Sequence, residues 1–162
     1  MDQAGFVARF GGVFEHSAWV AQAVFEHAGG LLHDADALGD LFASVFLAAD
    51  PTLQLETLRA HPQLACALAG QNDLTADSLS EQTSAGLDRC SAEEYAAFAQ
   101  LNTQYSGKFG FPFIIAVRGL TRREILDVFR KRLGNDRSAE FQTALQETCH
   151  IARFRIGDMH NG

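Results

Sequence analysis

The sequence predicts an all-α protein: a single-domain helical bundle of about eight or more helices, with one short extended and buried segment near residues 110–117. Apolar residues recur at steps of three and four through most of the chain, which is the spacing of one helix face. Ser or Thr stands three positions before Glu at Ser78, Ser91 and Thr121, a spacing typical of helix N-termini. No repeat or long linker divides the 162 residues, so we expect one domain over residues 1–162.

The first third of the chain carries three predicted helices after an initial apolar stretch at 6–14. Ser17 is a candidate N-cap for a helix that ends at Ala28, before two glycines. The apolar residues between positions 38 and 46 form the face of a second helix. Pro51 suits the first turn of a third helix, which runs to Ala60.

The middle of the chain begins with a break at His61, because Pro62 disfavours the α conformation in the residue before it. A helix is expected from about Gln63 to 69, and a polar loop from 70 to 75. The Ser78–Glu81 capping box predicts a helix through Leu87.

The last part of the chain contains the clearest helix signals. The Ser91 and Thr121 boxes each head an amphipathic pattern, and the second pattern closes at Gly134 and the residue after it. A final helix is expected from about 136–138 to Met159.

Between these helices lies an uncharged run from Gly110 to Val117. Gly107, Gly110 and Pro112 argue against a regular helix through it, and the run is too short to cross a bilayer. We therefore expect a buried extended segment, either as a core strand or connection or as backbone that binds a polar ligand. Buried N–H and C=O groups require partners in either case.

Composition excludes several classes of function. The net charge is −7 without a basic block, which argues against nucleic-acid binding. The three cysteines are far apart, so we expect a reducing compartment and no disulfide framework. Residues 1–12 lack signal-peptide features and the C-terminus is not a peroxisomal address, so a cytoplasmic location and no membrane are expected. No H-x-x-x-H or H-E-x-x-H spacing occurs, so we expect no metal site.

Three polar residues do not fit a plain helical core. Arg155 shares a face with Leu145 and Ala152, and would be either an internal ion pair or a clamp for a carboxylate substrate. His61 would be a surface or capping histidine, or a general acid or base. Glu81 is explained by its capping box unless it pairs with His61.

Six motifs together identify a resemblance to a known family over about residues 6–159. They are Glu15-His-Ser-Ala-Trp19, Ala60-His-Pro-Gln-Leu-Ala65, Ser80-Glu-Gln82, Asn102 to Tyr105, Phe109-Gly-Phe-Pro-Phe-Ile-Ile-Ala-Val117 and Ile151-Ala-Arg-Phe-Arg155. In this order they resemble the 2-oxo-4-hydroxy-4-carboxy-5-ureidoimidazoline (OHCU) decarboxylases of urate breakdown. Such an enzyme converts its small anionic substrate to (S)-allantoin and CO₂.

The resemblance implies an all-helical fold, a homodimer, and a carboxy-lyase that uses no metal or organic cofactor. It implies that the catalytic residues are His61, Glu81 and Arg155. It also implies that the substrate-binding residues are Pro62, Ser78, Gln82, Phe111, Phe113, Ile114 and Ile115. Gln63 stands where the family commonly has an acidic residue, which removes a charge next to His61, and Ala18 stands where proline is common.

Two alternatives remain open at the level of sequence. A non-enzymatic helical interaction domain would bind a partner helix through its aromatic residues, with His61 exposed and Arg155 paired with an internal acid. A related small-acid decarboxylase or ring hydrolase would share the enzyme's pocket. The enzyme interpretation expects His61, Glu81, Arg155 and the 111–115 backbone to converge on one cavity.

Overall fold

The structure, a computed structural model, describes residues 1–64 and 75–162 and confirms the all-α fold class. In these residues there is no strand, and there are two 3₁₀ helices, Gly29–His33 and Leu87–Arg89. The α-helices are α1 Gln3–Phe10, α2 Trp19–Ala28, α3 Ala35–Leu47, α4 Pro51–Ala60, α5 Ala76–Ser84, α6 Ala92–Phe109, α7 Arg122–Leu133 and α8 Arg137–Asn161. None of the helices in the described residues is long and apolar enough to cross a membrane.

The chain divides into two compact units. The first combines Met1–His61 with Leu145–Gly162, and the second is Pro62–Ala144. Helix α8 therefore contributes its first part to the second unit and the remainder to the first.

The core of the first unit is a cluster of phenylalanines contributed by α1, α3 and the loop after α1. Phe6 and Phe10 pack with ring centroids 4.8 Å apart, and Phe14 lies 4.8 Å from Phe46. Phe42 contacts Phe6, Phe10 and Phe14 and is fully buried. Each buried aromatic side chain stabilises the fold by about 2–3 kcal/mol through the apolar surface it removes from water.

The core of the second unit is built around Tyr105 of α6. Its ring lies 4.5 Å from that of Phe109 and meets the rings of Phe113 and Phe129 edge to face. Phe113 and Phe129 stack with their centroids 3.8 Å apart. This packing attaches the segment that follows α6 to both α6 and α7.

The expected extended segment is confirmed. Gly110 caps α6 in the left-handed conformation, at φ 79°, which a glycine adopts without steric cost. Residues 112–117 are neither helix nor strand, and 111–115 are buried. Gly107, in contrast, does not end the helix and lies inside α6.

Two predicted helix starts are wrong, and a third prediction falls mainly on residues outside the described ranges. Ser17 is not the cap of α2, because its hydroxyl donates to the Glu15 carbonyl and the helix begins at Trp19. Ser78 does not cap α5 either, since Thr75 does so by accepting from the Ser78 N–H. No helix begins at Gln63, and the remainder of that predicted helix and the 70–75 loop lie largely outside the described residues.

The other cap predictions are confirmed. Ser91 with Glu94, and Thr121 with Glu124, form complete capping boxes at α6 and α7. The expectation of no disulfide is wrong at Cys90, which is disulfide-bonded, whereas Cys149 is a buried free thiol.

Candidate active site

His61 follows the last residue of α4 and adopts an extended conformation, at φ −72° and ψ 134°. Pro62 enforces this geometry, because its ring clashes with a helical residue before it. Burial lowers the pKa of His61 from 6.5 to about 4; the Glu15 carboxylate opposes this shift and the Arg155 guanidinium adds to it. The imidazole is therefore neutral near pH 7 and able to accept a proton.

Arg155 lies in α8 and forms a buried ion pair with Glu15. Its Nη2 donates to Glu15 Oε1 at 2.9 Å, and the two residues are 4% and 2% exposed. Nη1 donates to the Val13 carbonyl at 3.3 Å and lies 3.5 Å from that of Gly12. The ion pair predicted as one alternative for Arg155 is thus present, and a guanidinium with five N–H donors can also bind a further acceptor.

The loop between α1 and α2 presents these acceptors to Arg155. Gly11 ends α1, and the chain then turns back so that the carbonyls of Gly12 and Val13 face the guanidinium. His16, the residue after Glu15, has φ 49°, a conformation uncommon outside glycine. Backbone strain at such a residue costs about 1 kcal/mol or more and persists only where neighbouring residues fix the conformation. Residues strained in this way are common at functional sites.

In the second unit, the residues after Pro62 are held by side-chain amides. Gln82 of α5 donates to the Gln63 carbonyl at 3.3 Å, and Asn102 of α6 donates to the Leu64 carbonyl at 2.6 Å. The Gln63 side chain is exposed and donates to Ser106 Oγ at 3.2 Å. The backbone after His61 is thereby fixed without the acidic side chain that the family resemblance leads one to expect.

Helix α5 carries the predicted residues Ser78, Glu81 and Gln82. Ser78 and Gln82 are four positions apart, so they share a helix face, and both are buried. Glu81 lies in the last part of α5 and is half-buried. Thr75 rather than Ser78 caps α5, so the capping box predicted from Ser78 does not account for Glu81.

The extended segment supplies backbone groups rather than side chains. Phe111, Phe113, Ile114 and Ile115 are buried, with the phenylalanine rings packed in the core. In the part of the chain that the structure describes, the N–H groups of Phe113, Ile114 and Ile115 have no hydrogen-bond partner. Such groups are rare in protein interiors, and the prediction that this segment binds a polar ligand would give them partners.

The structure thus brings His61 and Arg155 together in the first unit, and places Pro62, Ser78, Glu81, Gln82 and the 111–115 segment in the second. That both sets act on one substrate stays a prediction. The sequence interpretation assigned no site role to Glu15 or Asn102. The signal that could have identified Glu15 is its position, since this acidic residue directly follows the buried Phe14 and precedes helix α2.

The described residues contain no cluster of three or more His, Cys, Asp or Glu side chains placed to hold a metal ion. The charges that affect the pKa of His61 are the Glu15 carboxylate and the Arg155 guanidinium, and a guanidinium suits recognition of a carboxylate.

A sequence model of the family described as OHCU decarboxylase matches residues 1–157, nearly the whole chain. The chain belongs to the OHCU decarboxylase family. Within this family it is 39% identical over 158 residues to a 2-oxo-4-hydroxy-4-carboxy-5-ureidoimidazoline decarboxylase of Halalkalicoccus jeotgali, with 98% of this chain and 86% of that protein covered.

Longer relatives contain the same region. The chain is 37% identical to the uric acid degradation bifunctional protein PucL of Bacillus subtilis; the match covers 98% of this chain but 31% of PucL.

Solved structures agree with the fold. An OHCU decarboxylase determined in the presence of (S)-allantoin has a TM-score of 0.75 at 26% identity, covering 93% of this chain and 96% of that one. An (S)-allantoin synthase structure has a TM-score of 0.76 at 28% identity, covering 98% of this chain and 51% of that one.

Proposed function

We propose that this protein is a carboxy-lyase that converts 2-oxo-4-hydroxy-4-carboxy-5-ureidoimidazoline to (S)-allantoin and CO₂ in urate degradation. The observation that carries the proposal is a neutral His61 beside the buried Glu15–Arg155 pair, in a chain that matches the decarboxylase family over residues 1–157. The homodimer and the cytoplasmic location implied by the resemblance belong to this proposal.

The substrate carries its own electron sink. When the bond between the ring carbon and the carboxylate breaks, the electron pair forms a double bond to the neighbouring carbon, and the imine nitrogen there receives the displaced pair and a proton. The resulting enol then gives up its hydroxyl proton while the neighbouring carbon gains one. Because the ring accepts these electrons, the reaction needs no organic cofactor.

His61 supplies the proton chemistry in this proposal. A neutral imidazole accepts a hydrogen bond from the substrate hydroxyl and takes its proton as the enol becomes a carbonyl. An anionic substrate beside the ring favours the protonated imidazole, which moves the His61 pKa upward from about 4 towards the working range of an acid–base catalyst.

Arg155 and Glu81 bind the charged and polar edges of the substrate in this proposal. Arg155 holds a carboxylate or carbonyl oxygen, and its pair with Glu15 fixes the orientation of the guanidinium before substrate arrives. Glu81 accepts from the N–H groups of the ureido arm. Ser78 and Gln82 lie on the same helix and complete this edge.

The backbone of the 111–115 segment binds the ring. Its N–H groups donate to the ring carbonyl oxygens, which gives them the partners that the described protein residues do not supply. Fixed backbone dipoles stabilise the charge that moves onto the ring as CO₂ leaves.

The test is the decarboxylation rate of His61→Asn, followed on freshly generated substrate against its spontaneous decay. Loss of acid–base help should lower the rate about 10²–10⁴-fold. The matched control is His150→Asn, because His150 is exposed and contacts Glu147 on its own helix, so its rate should stay within about twofold of wild type. Wild-type turnover with an unchanged rate in folded His61→Asn would exclude the acid–base role, and wild-type protein without turnover would exclude the proposed function.

A further inference from the structure

We propose that Arg132, Glu140 and Tyr105 are positioning residues that fix the peptide unit between Ile114 and Ile115, and so direct the Ile115 N–H to the substrate. This inference rests on the proposed function and specifies how the extended segment performs its part of it.

The contact that defines the peptide orientation is made by Arg132 of α7. Its Nη1 donates to the Ile114 carbonyl at 2.7 Å, and its Cζ lies 4.5 Å from the centroid of the Phe113 ring. One guanidinium therefore holds both a main-chain carbonyl and the preceding side chain. Lysine cannot reproduce this, because it lacks the planar fork of arginine.

Glu140 of α8 holds the guanidinium from the other side. Its Oε2 accepts from Arg132 Nε at 3.0 Å and from Nη2 at 2.9 Å, a two-bonded arrangement with defined geometry. The same oxygen accepts from the Tyr105 hydroxyl at 2.7 Å, and Oε1 accepts from Asn135 Nδ2 at 3.1 Å. Arg132 is 6% exposed and Glu140 fully buried, so water does not compete for these contacts.

The peptide geometry connects this network to the ligand. The C=O of Ile114 and the N–H of Ile115 belong to one planar peptide unit, and no peptide bond among the described residues is cis. In a trans peptide these two groups point in opposite directions. Fixing the carbonyl on Arg132 therefore directs the Ile115 N–H away from the network, where the described residues offer it no partner.

Stability alone is a poor explanation for such a network. A buried ion pair is often no more stabilising than well-packed apolar side chains of the same volume, because both charges lose their hydration. Apolar residues at 132 and 140 could fill the same space, but they could not fix a carbonyl in one orientation. The geometry thus favours a role in positioning, and it removes the Ile114 carbonyl from the set of groups expected to accept from the substrate.

The chain contains a matched arginine–glutamate pair for comparison. Arg122 Nε donates to Glu94 Oε2 at 3.0 Å, and its Nη1 donates to the Gly86 carbonyl at 2.9 Å. It therefore also joins a carboxylate to a main-chain carbonyl in the second unit, but these partners are Glu94 and Gly86 rather than residues of the 111–117 segment.

The experiment compares Arg132→Lys and Tyr105→Phe with the control Arg122→Lys. Steady-state KM and kcat are measured with the unstable substrate, together with thermal unfolding and amide hydrogen exchange at Ile115 in ligand-free protein. Arg132→Lys should raise KM about 10–100-fold, the range expected for a lost hydrogen bond to a charged group, and accelerate Ile115 exchange. Tyr105→Phe, which keeps the core packing, should raise KM about 2–10-fold.

The control should leave both KM and Ile115 exchange within about twofold of wild type. A folded Tyr105→Phe protein with wild-type KM and wild-type Ile115 exchange would overturn the inference, even where Arg132→Lys fails to fold. Equal KM changes in Arg122→Lys and Tyr105→Phe would overturn it as well. Failure of the proposed function would give a different result, namely no turnover by the wild-type protein. In that case amide exchange at Ile115 would still test whether Arg132, Glu140 and Tyr105 fix the peptide unit.

Discussion

Replacing Glu15 by Gln tests whether folding of the first unit depends on the charge of the buried pair between Glu15 and Arg155. The substitution keeps the side-chain shape and an acceptor oxygen but removes the negative charge opposite the guanidinium. Arg155 cannot respond by losing its proton, so a full positive charge stays buried among neutral groups. The nearby imidazole offers no compensation, because the His61 side chain is either neutral or cationic and cannot replace the lost negative charge.

The expected magnitude follows from the burial of the two side chains. Removing one partner of a buried ion pair costs about 3–5 kcal/mol, and the retained acceptor of Gln places this change near 3 kcal/mol. A chain of 162 residues loses about 2–4 °C in Tm per kcal/mol, so the melting temperature should fall by about 6–12 °C. The matched control is Glu94→Gln, whose carboxylate and partner Arg122 are 26% and 30% exposed, and it should cost about 0.2–1 kcal/mol.

The assay is urea unfolding of wild type and both variants at neutral pH, followed by circular dichroism. Equal destabilisation by Glu15→Gln and Glu94→Gln would refute the reasoning, because the model of a buried, charge-dependent pair requires a difference of about 2 kcal/mol. Salt provides a second check, since screening weakens the exposed pair and has little effect on the buried one.

Two further predictions concern titration. The pKa of His61 is lowered by burial to about 4, so between pH 6.5 and 4 the unfolded chain binds the proton first and stability falls as pH falls. As pH falls through this range, the unfolding free energy of wild type should decrease relative to that of His61→Asn. A difference between the two that stays constant with pH would contradict the prediction. Burial also raises the pKa of Cys149 to about 11, so this thiol should resist alkylation at pH 8 in native protein and react after denaturation. Peptide mapping of alkylated Cys149 from native protein would contradict that prediction.

The sequence predicted helix starts correctly where the capping spacing and the apolar periodicity agree. It predicted them incorrectly where another residue acts as the N-cap. Ser91 and Thr121 precede amphipathic stretches, and both form the expected boxes. Ser78 shows the same spacing to Glu81, yet Thr75, three positions earlier, takes the cap and leaves Ser78 buried inside α5. Local spacing cannot distinguish these cases, since either residue satisfies the same unpaired N–H groups.

In the candidate site, the sequence pattern identifies an unusual residue but does not identify its tertiary partner. Arg155 stands out because a guanidinium interrupts an apolar helix stripe, and the structure confirms that it is buried. Arg132 shows the same signal, seven positions after Ile125 and three after Phe129, but was not singled out. The partner of Arg155 could not be predicted, because Glu15 is distant in sequence from it and many acids were candidates.

The two buried arginines, Arg155 in the first unit and Arg132 in the second, share one physical arrangement. Each pairs with a buried glutamate and also donates to main-chain carbonyls, Arg155 to Val13 and Arg132 to Ile114. Since a buried pair contributes little net stability, its lasting effect is to fix the backbone that it contacts. For the proposed decarboxylation, in which the electrons move within the substrate, we expect the protein to act mainly by orienting the substrate through fixed main-chain groups. Variants that keep each charge but lose the fork, such as Arg132→Lys, should therefore impair substrate binding more than they impair folding.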